Sequence, residues 1–286
     1  MSRKPQNASD DLDVVVSVSH TSDETYLAMV WQEFFLSRGR GLTLGAHFPW
    51  ISGTDPSGVF VTLARGGKVV GGLALIDRSS AMSKEAGRVA AIGLVVVRPD
   101  MRGRGYSGLL LKRAIDLAKE SNYVGLTLWT SKHAVYSPYG FELADEAVFG
   151  TVRNASPAAE ETSILVRCRH EDDDRSIYPG IPPFARDMAR IRHRTCALVV
   201  LSDGKDDMLA ETEGPLSEVA DALTSLMPRH WMLNSTRGSP LLGELESRGL
   251  QLDMQASHLQ MWMSLVPGVA ASDLAAKGHF SVLDRI

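Results

Sequence analysis

Between a nearly all-apolar run, Val89–Val97, and a helical apolar stripe, Tyr106–Lys119, the chain places Arg102-Gly103-Arg104-Gly105. Glycine lets the main chain turn sharply and approach a ligand closely. The helix that follows begins with N–H groups that have no internal partner, and its macrodipole adds partial positive charge there. A strand, a Gly/Arg turn announced by Pro99 and an amphipathic helix together make an anion cradle, for which phosphate is the usual occupant. Arg102 and Arg104 add charge to its rim. The plainer reading is a glycine-softened turn with solvated arginines, and the coincidence of strand, Pro99, spacing and helix argues against it. The turn is not a P-loop, because no Gly-Lys-Ser/Thr closes it. Nor is it a dinucleotide fingerprint: the glycine spacing is wrong, and no acidic residue ends a following strand about 20 residues on.

The flanks give an α/β reading. Val14–Val18 predicts a strand. Asp23–Leu36 predicts a helix, with Leu27, Val30, Trp31, Phe34 and Phe35 as its stripe and Ser22 or Asp23 as its N-cap. The next stretch, rich in Gly, Pro and aromatic residues, reads as a loop. Val59–Ala64 and Lys68–Asp77 flank Arg65-Gly66-Gly67 as a hairpin. Val124–Trp129 is a strand, Ser131–Tyr136 a short helical or turning segment, and strand resumes from Phe141. Asn154–Glu161 is small and polar and marks a boundary between residues 1–153 and 154–286. Beyond it, Ile164–Arg169, Cys196–Ser202, His230–Leu233 and Leu259–Leu265 are expected strands. Leu216–Met227 and Pro240–Arg248 are expected helices, and a charged, Pro-rich connection fills the gap before Cys196. This order faintly echoes Val89–Val148 and suggests a diverged duplication.

Two motifs carry a resemblance. Val97-Arg98-Pro99 followed by Arg102, Gly105 and Ser107 resembles motif A of the GCN5-related N-acetyltransferase (GNAT) superfamily, with Ser107 where a last Gly or Ala is usual. Tyr136-Ser137-Pro138-Tyr139-Gly140-Phe141 resembles the end of motif B. The resemblance covers roughly Val14–Val148. It implies a mixed central sheet flanked by helices, an α/β (α+β) fold, with the C-terminal half as a smaller, related α/β lobe. It also implies acetyl-CoA as co-substrate, held by the main chain of Leu94, Val95 and Val97 and by the turn Arg102, Gly103, Arg104, Gly105, Tyr106 and Ser107. An N–H near Leu94 or Val95 would polarise the thioester carbonyl. Tyr136 would give the departing thiolate a proton. An Asn that family members often carry after the second strand is replaced here by Thr130-Ser131-Lys132. No second Arg/Gly cradle is found in the C-terminal half, so one cofactor site is expected.

The general base is left open among Glu33, His47, Asp77, Glu85 and a water chain. His47-Phe48-Pro49-Trp50 reads as a hydrophobic plug under a long loop or as acceptor lining. The implied function is N-acetyl transfer to a primary amine of unidentified type, a small molecule or a peptide. A non-catalytic acyl-CoA sensor is the alternative. A third reading makes the C-terminal half an interaction domain, with an edge such as Leu259–Leu265 covered by a partner. Composition excludes other classes. The net charge is −4 with no basic block, which disfavours nucleic acid. No apolar run approaches the roughly 20 residues that cross a bilayer, and the polar, acidic start is unlike a signal peptide. Cys168 and Cys196 suggest neither disulfide framework nor metal site, so a cytoplasmic monomer or homodimer without metal is expected. The run Glu171–Asp174 leans slightly toward a cationic acceptor.

Overall fold

The computed structural model describes residues 13–39, 41–51, 58–156, 161–167 and 180–285. Cys168 and Glu171–Asp174 lie outside these residues. The first lobe opens with β1 (Val14–Ser19), α1 (Glu24–Phe34) and the single turn α2 (Leu44–His47). Asp23 is the N-cap of α1, its carboxylate accepting the Tyr26 N–H at 2.9 Å. The hairpin β2 (Gly58–Arg65) and β3 (Lys68–Asp77) turns through Gly66-Gly67, and β4 (Val89–Val97) adds antiparallel to β3. The long helix α3 (Tyr106–Glu120) then crosses over to β5 (Gly125–Trp129), parallel to β4. The short α4 (His133–Tyr136) and β6 (Glu142–Leu143) complete the run. Leu110, Leu111, Ala114 and Ala118 of α3 pack on one face of this sheet, and Tyr26, Val30 and Phe35 on the other.

The second lobe repeats that plan. After β7 (Ala147–Arg153) and the turn α5 (Ile164–Arg167) come three antiparallel strands, β8 (Asp187–His193), β9 (Cys196–Ser202) and β10 (Asp207–Glu213). Helix α6 (Leu216–Leu226) crosses to β11 (His230–Thr236), parallel to β10. Then follow α7 (Pro240–Ser247), β12 (Gln251–Ala256), β13 (Gln260–Ser264) and α8 (Ala271–Ala275). The strand orders are β1-β2-β3-β4-β5-β13-β6 and β12-β7-β11-β10-β9-β8. Each lobe therefore lends a strand to the other: β13 enters between β5 and β6, and β7 between β11 and β12. The faint echo in the sequence is a structural repeat with exchanged strands.

Three expectations change. Ile164–Arg167 is helical, not extended: the Asp207 carboxylate accepts from Ser163 Oγ at 2.6 Å and from the Ile164 N–H at 2.8 Å, which starts a turn and drops Ile164 and Leu165 into the core. Leu259–Leu265 is not an open edge strand: β13 pairs with β5 along Gln260–Ser264 and with β6 at Met261 and Trp262 within the first sheet. The charged connection before Cys196 contains β8.

One carboxylate links the two exchanged strands. Asp145, between β6 and β7, accepts the N–H groups of Ala147 (3.0 Å), Leu259 (2.8 Å) and Gln260 (3.0 Å), tying the start of both exchanged strands together. Burial opposes its ionisation, but the hydrogen bonds outweigh that and hold its pKa below the ordinary 3.8. A depressed pKa stabilises the fold above the unfolded value and loses that effect as pH falls through the folded one. Asp145→Ala is thus expected to cost about 2 kcal/mol near neutral pH. The deficit relative to the parent should shrink below about pH 4. Thermal melts across that range check it, and a deficit independent of pH would contradict the assignment.

Candidate active site

The parallel pair β4 and β5 is joined only at Val89–Ala91 against Gly125–Thr127. From Ile92 onward the side of β4 that faces β5 has no strand partner. At that point β4 also bulges: Gly72 opposes Val96 while Ala74 opposes Gly93, leaving Leu94 and Val95 against Leu73 alone. Leu94 sits at φ 52°, a left-handed conformation that costs a branched side chain strain. Its carbonyl accepts the Tyr26 hydroxyl at 3.0 Å, from a fully buried side chain on α1. The fold therefore fixes a strained bulge at the mouth of the splay, and unpaired main chain there can bond an extended ligand as an added strand would.

The splay opens into a cavity of about 580 Å³. Gly93–Val97 forms one wall; Leu128–Lys132 and Tyr136 form another. Glu33, Phe34, Arg38 and Phe48 close it on the α1 side, and Pro182–Phe184, Leu259 and Arg285 close it from the second half of the chain. Leu94, Val95, Val97, Arg102 and Tyr136 thus meet at one cavity. Gly103, Arg104, Gly105, Tyr106 and Ser107 lie next to it, at the start of α3. The Tyr106 side chain belongs to the core, so that position offers its main chain only.

Gly103 and Gly105 adopt φ 74° and 79°, and Gly105 is the N-cap of α3. A Cβ at either would meet nothing within 4 Å. The N–H groups of Gly105, Tyr106 and Ser107 have no acceptor among the described residues; the first main-chain bonds of the helix come from Gly108 and Leu109. Arg98 clamps Asp100 with two bonds of 2.6 and 2.9 Å and shapes the turn. Arg102 reaches back from it, donating to the Val97 carbonyl at 3.0 Å and pairing with Glu33 at 2.9 Å. Gly108, which the sequence reading passed over, lets Tyr139 pack on α3: a Cβ there would lie 2.1 Å from the Tyr139 hydroxyl. That contact joins the two motif segments.

Tyr136 stands edge-on to Phe141, with ring centroids 6.2 Å apart. Burial raises its pKa above the ordinary 10, and its hydroxyl has no hydrogen-bond partner among the described residues. Where family members often carry Asn, the Thr130 hydroxyl instead accepts the Lys132 N–H at 2.9 Å. The base candidates separate clearly. Both ring nitrogens of the buried His47 are engaged, Nδ1 with the Ile181 carbonyl at 2.7 Å and Nε2 with the Leu42 N–H at 2.9 Å. Asp77 is held by Arg88, Tyr123 and Ser79, away from the cavity. Glu85 is exposed elsewhere. Only Glu33 lines the cavity. Phe48 is both plug and lining, buried in the aromatic cluster and present on the wall. In the second lobe α6 starts at Gly214-Pro215 with Glu213 before it and Glu218 in its first turn, a poor surface for a phosphate. Among the described residues no group of three or more His, Cys, Asp or Glu could hold a metal, and no helix is long and apolar enough to cross a membrane.

Residues 28–144 match the family model described as an acetyltransferase (GNAT) domain. The chain carries a GNAT domain. The match runs from within α1 to just past β6, so it takes in the bulge, the Gly/Arg turn and Tyr136. An uncharacterised N-acetyltransferase of Methanocaldococcus jannaschii is 34% identical over 112 residues, 37% of this chain. The chain spans about half of that curated relative, 48% of its length. Among solved structures, a GCN5-related N-acetyltransferase from Kribbella flavida shares the fold over 98% of this chain and 83% of its own, with 18% identity and a TM-score of 0.58. A probable N-acyltransferase of unknown function from Enterococcus faecalis covers 91% of this chain and 73% of its own, at 9% identity and a TM-score of 0.60. The likeness in fold to these structures thus extends beyond residues 28–144.

Proposed function

We propose that the GNAT domain transfers an acetyl group from acetyl-CoA to a primary amine. The observation that carries this reading is the strained bulge at Leu94, opening the β4–β5 splay onto a cavity that also meets Tyr136 and adjoins the bare amides of α3. Acetyl-CoA supplies the activated acyl carbon. The N–H groups of Gly105, Tyr106 and Ser107 hold its diphosphate, and the unpaired edge of β4 aligns its pantetheine arm. The Leu94 or Val95 N–H stabilises negative charge on the carbonyl oxygen during attack by a neutral amine. Tyr136 donates its proton to the thiolate as the C–S bond breaks, and its raised pKa keeps that proton in place at neutral pH. The amine's proton leaves through Glu33 or through water. With the division at residue 153, the cofactor site falls in 1–153, and 154–286 contributes Pro182–Phe184, Leu259 and Arg285 to the acceptor wall.

Calorimetry with coenzyme A, followed by thiol release from acetyl-CoA against a panel of amines, tests the reading. Binding in the micromolar range and release that depends on the amine are expected. Binding with no release from any amine would favour the acyl-CoA sensor, and no binding would remove both readings.

A further inference from the structure

The cavity wall farthest in sequence from the Gly/Arg turn carries Arg285, and among the described residues that guanidinium has no ion-pair partner. Its Nε is buried with no hydrogen-bond partner among the described residues. Among the described residues its one side-chain bond is a long 3.4 Å contact from Nη2 to Asn234 Oδ1. Two carboxylates lie near enough to act on its charge, Asp145 and Asp284, but neither forms an ion pair with it, and both are engaged elsewhere. Asp145 holds the three N–H groups at the strand exchange. Asp284 accepts the Ser281 N–H at 2.9 Å and lies 3.9 Å from Arg78. A charge removed from water without a partner is costly, so this position favours a ligand that completes it.

Apart from Glu33, the other charged residues on the described wall, Arg38, Arg102 and Lys132, are cationic. Arg38 lies over Phe34 at 5.9 Å with no carboxylate partner among the described residues. Lys132 has none either. The lining carboxylate Glu33 is taken by Arg102. An acceptor carrying only an amine would meet this wall with nothing to offer Arg285. An acceptor that also carries an anion would pair with it through charge-assisted, two-pronged hydrogen bonds.

We propose that the acceptor is an anionic amine, a carboxylate- or phosphate-bearing compound whose anion is bound by Arg285 while Phe34, Phe48 and Phe184 cover its apolar part. This rests on the acetyl-transfer reading above and deepens it. It departs from the sequence-based lean toward a cationic acceptor, which came from Glu171–Asp174, outside the described residues.

Matched acceptors test it on the full chain with acetyl-CoA: phenylalanine against phenethylamine, and O-phosphoethanolamine against ethanolamine, with thiol release as the readout. The anionic member of at least one pair should show a KM at least about tenfold lower, and which pair responds tells carboxylate from phosphate. Arg285→Gln should raise that KM about 30-fold or more, change kcat much less, and leave coenzyme A affinity by calorimetry unaltered. Arg285→Lys should recover part of the loss. Equal or better turnover of the anion-free amines by the parent chain overturns the proposal, whatever the variants do. So does a KM increase in Arg285→Gln that is the same for both members of a pair. Coenzyme A binding without thiol release from any amine sinks acetyl transfer and this proposal together. Release confined to anion-free amines sinks this proposal alone.

Discussion

Gly105→Val is expected to reduce coenzyme A affinity by about 100-fold or more while leaving the chain folded. The N-cap of α3 sits at φ 79°, where a β-branched residue pays about 1–3 kcal/mol in strain. A Cβ there has nothing within 4 Å, so the cost to the fold is mainly this backbone strain and the melting temperature should fall by only a few degrees. The space the added side chain enters is the space over the Gly105, Tyr106 and Ser107 amides. Losing two hydrogen bonds to a charged phosphate, each contributing about 1.5–3 kcal/mol, accounts for the expected drop. Gly105→Ala should fall between parent and valine variant. Unchanged binding heat in a folded Gly105→Val chain would show that this turn is not the phosphate cradle.

Tyr136→Phe is expected to lower turnover by about 10² to 10⁴, the usual range for a lost proton donor. Coenzyme A affinity should not change, because the hydroxyl is removed and the ring with its Phe141 contact stays. Stability should barely change either, because the hydroxyl has no hydrogen bond among the described residues to lose. The pH profile gives an independent reading. Burial raises the Tyr136 pKa above 10, so the donor stays protonated through neutral pH, and in the parent chain the loss of rate from its ionisation belongs on the far alkaline side. That limb should be absent in Tyr136→Phe. Turnover within about twofold of the parent would remove Tyr136 from the proton-transfer step.

Much of the first lobe was legible because its signals are local. The Gly66-Gly67 hairpin, the unbroken apolar run of β4, the stripe of α3 and the N-cap Asp23 each lie within one window of sequence, and each element formed where its pattern stood. The second lobe was harder. β8 (Asp187-Met-Ala-Arg-Ile-Arg-His) buries Met188 and Ile191 beneath charged neighbours, and its charge density resembles a loop. β10 has a bulge between Leu209 and Glu211 that breaks its alternation, and β12 alternates as a strand should but is short and half-exposed. At the site, Leu94, Arg102, Gly105 and Tyr136 were placed by motif spacing. The left-handed turn at Leu94 was not, since nothing local asks leucine for positive φ; the Tyr26 hydroxyl, 68 residues away, fixes it. Arg285 gave no signal either. A lone arginine near the end of the sequence becomes part of the cavity only through the packing of its segment against the rest of the chain.

The lent strands set an order of events during synthesis. β5 finds its neighbour β13 only after more than a hundred further residues have been added, and the bonds from Thr130 and Thr127 to the segment Leu259–Met261 wait equally long. A ribosome that has made the whole GNAT domain still holds a nascent lobe with an open seam beside β5, and open seams of this kind invite wrong partners. Until Gln260–Ser264 emerges from the exit tunnel, that side of β5 lacks the strand that covers it in the finished fold.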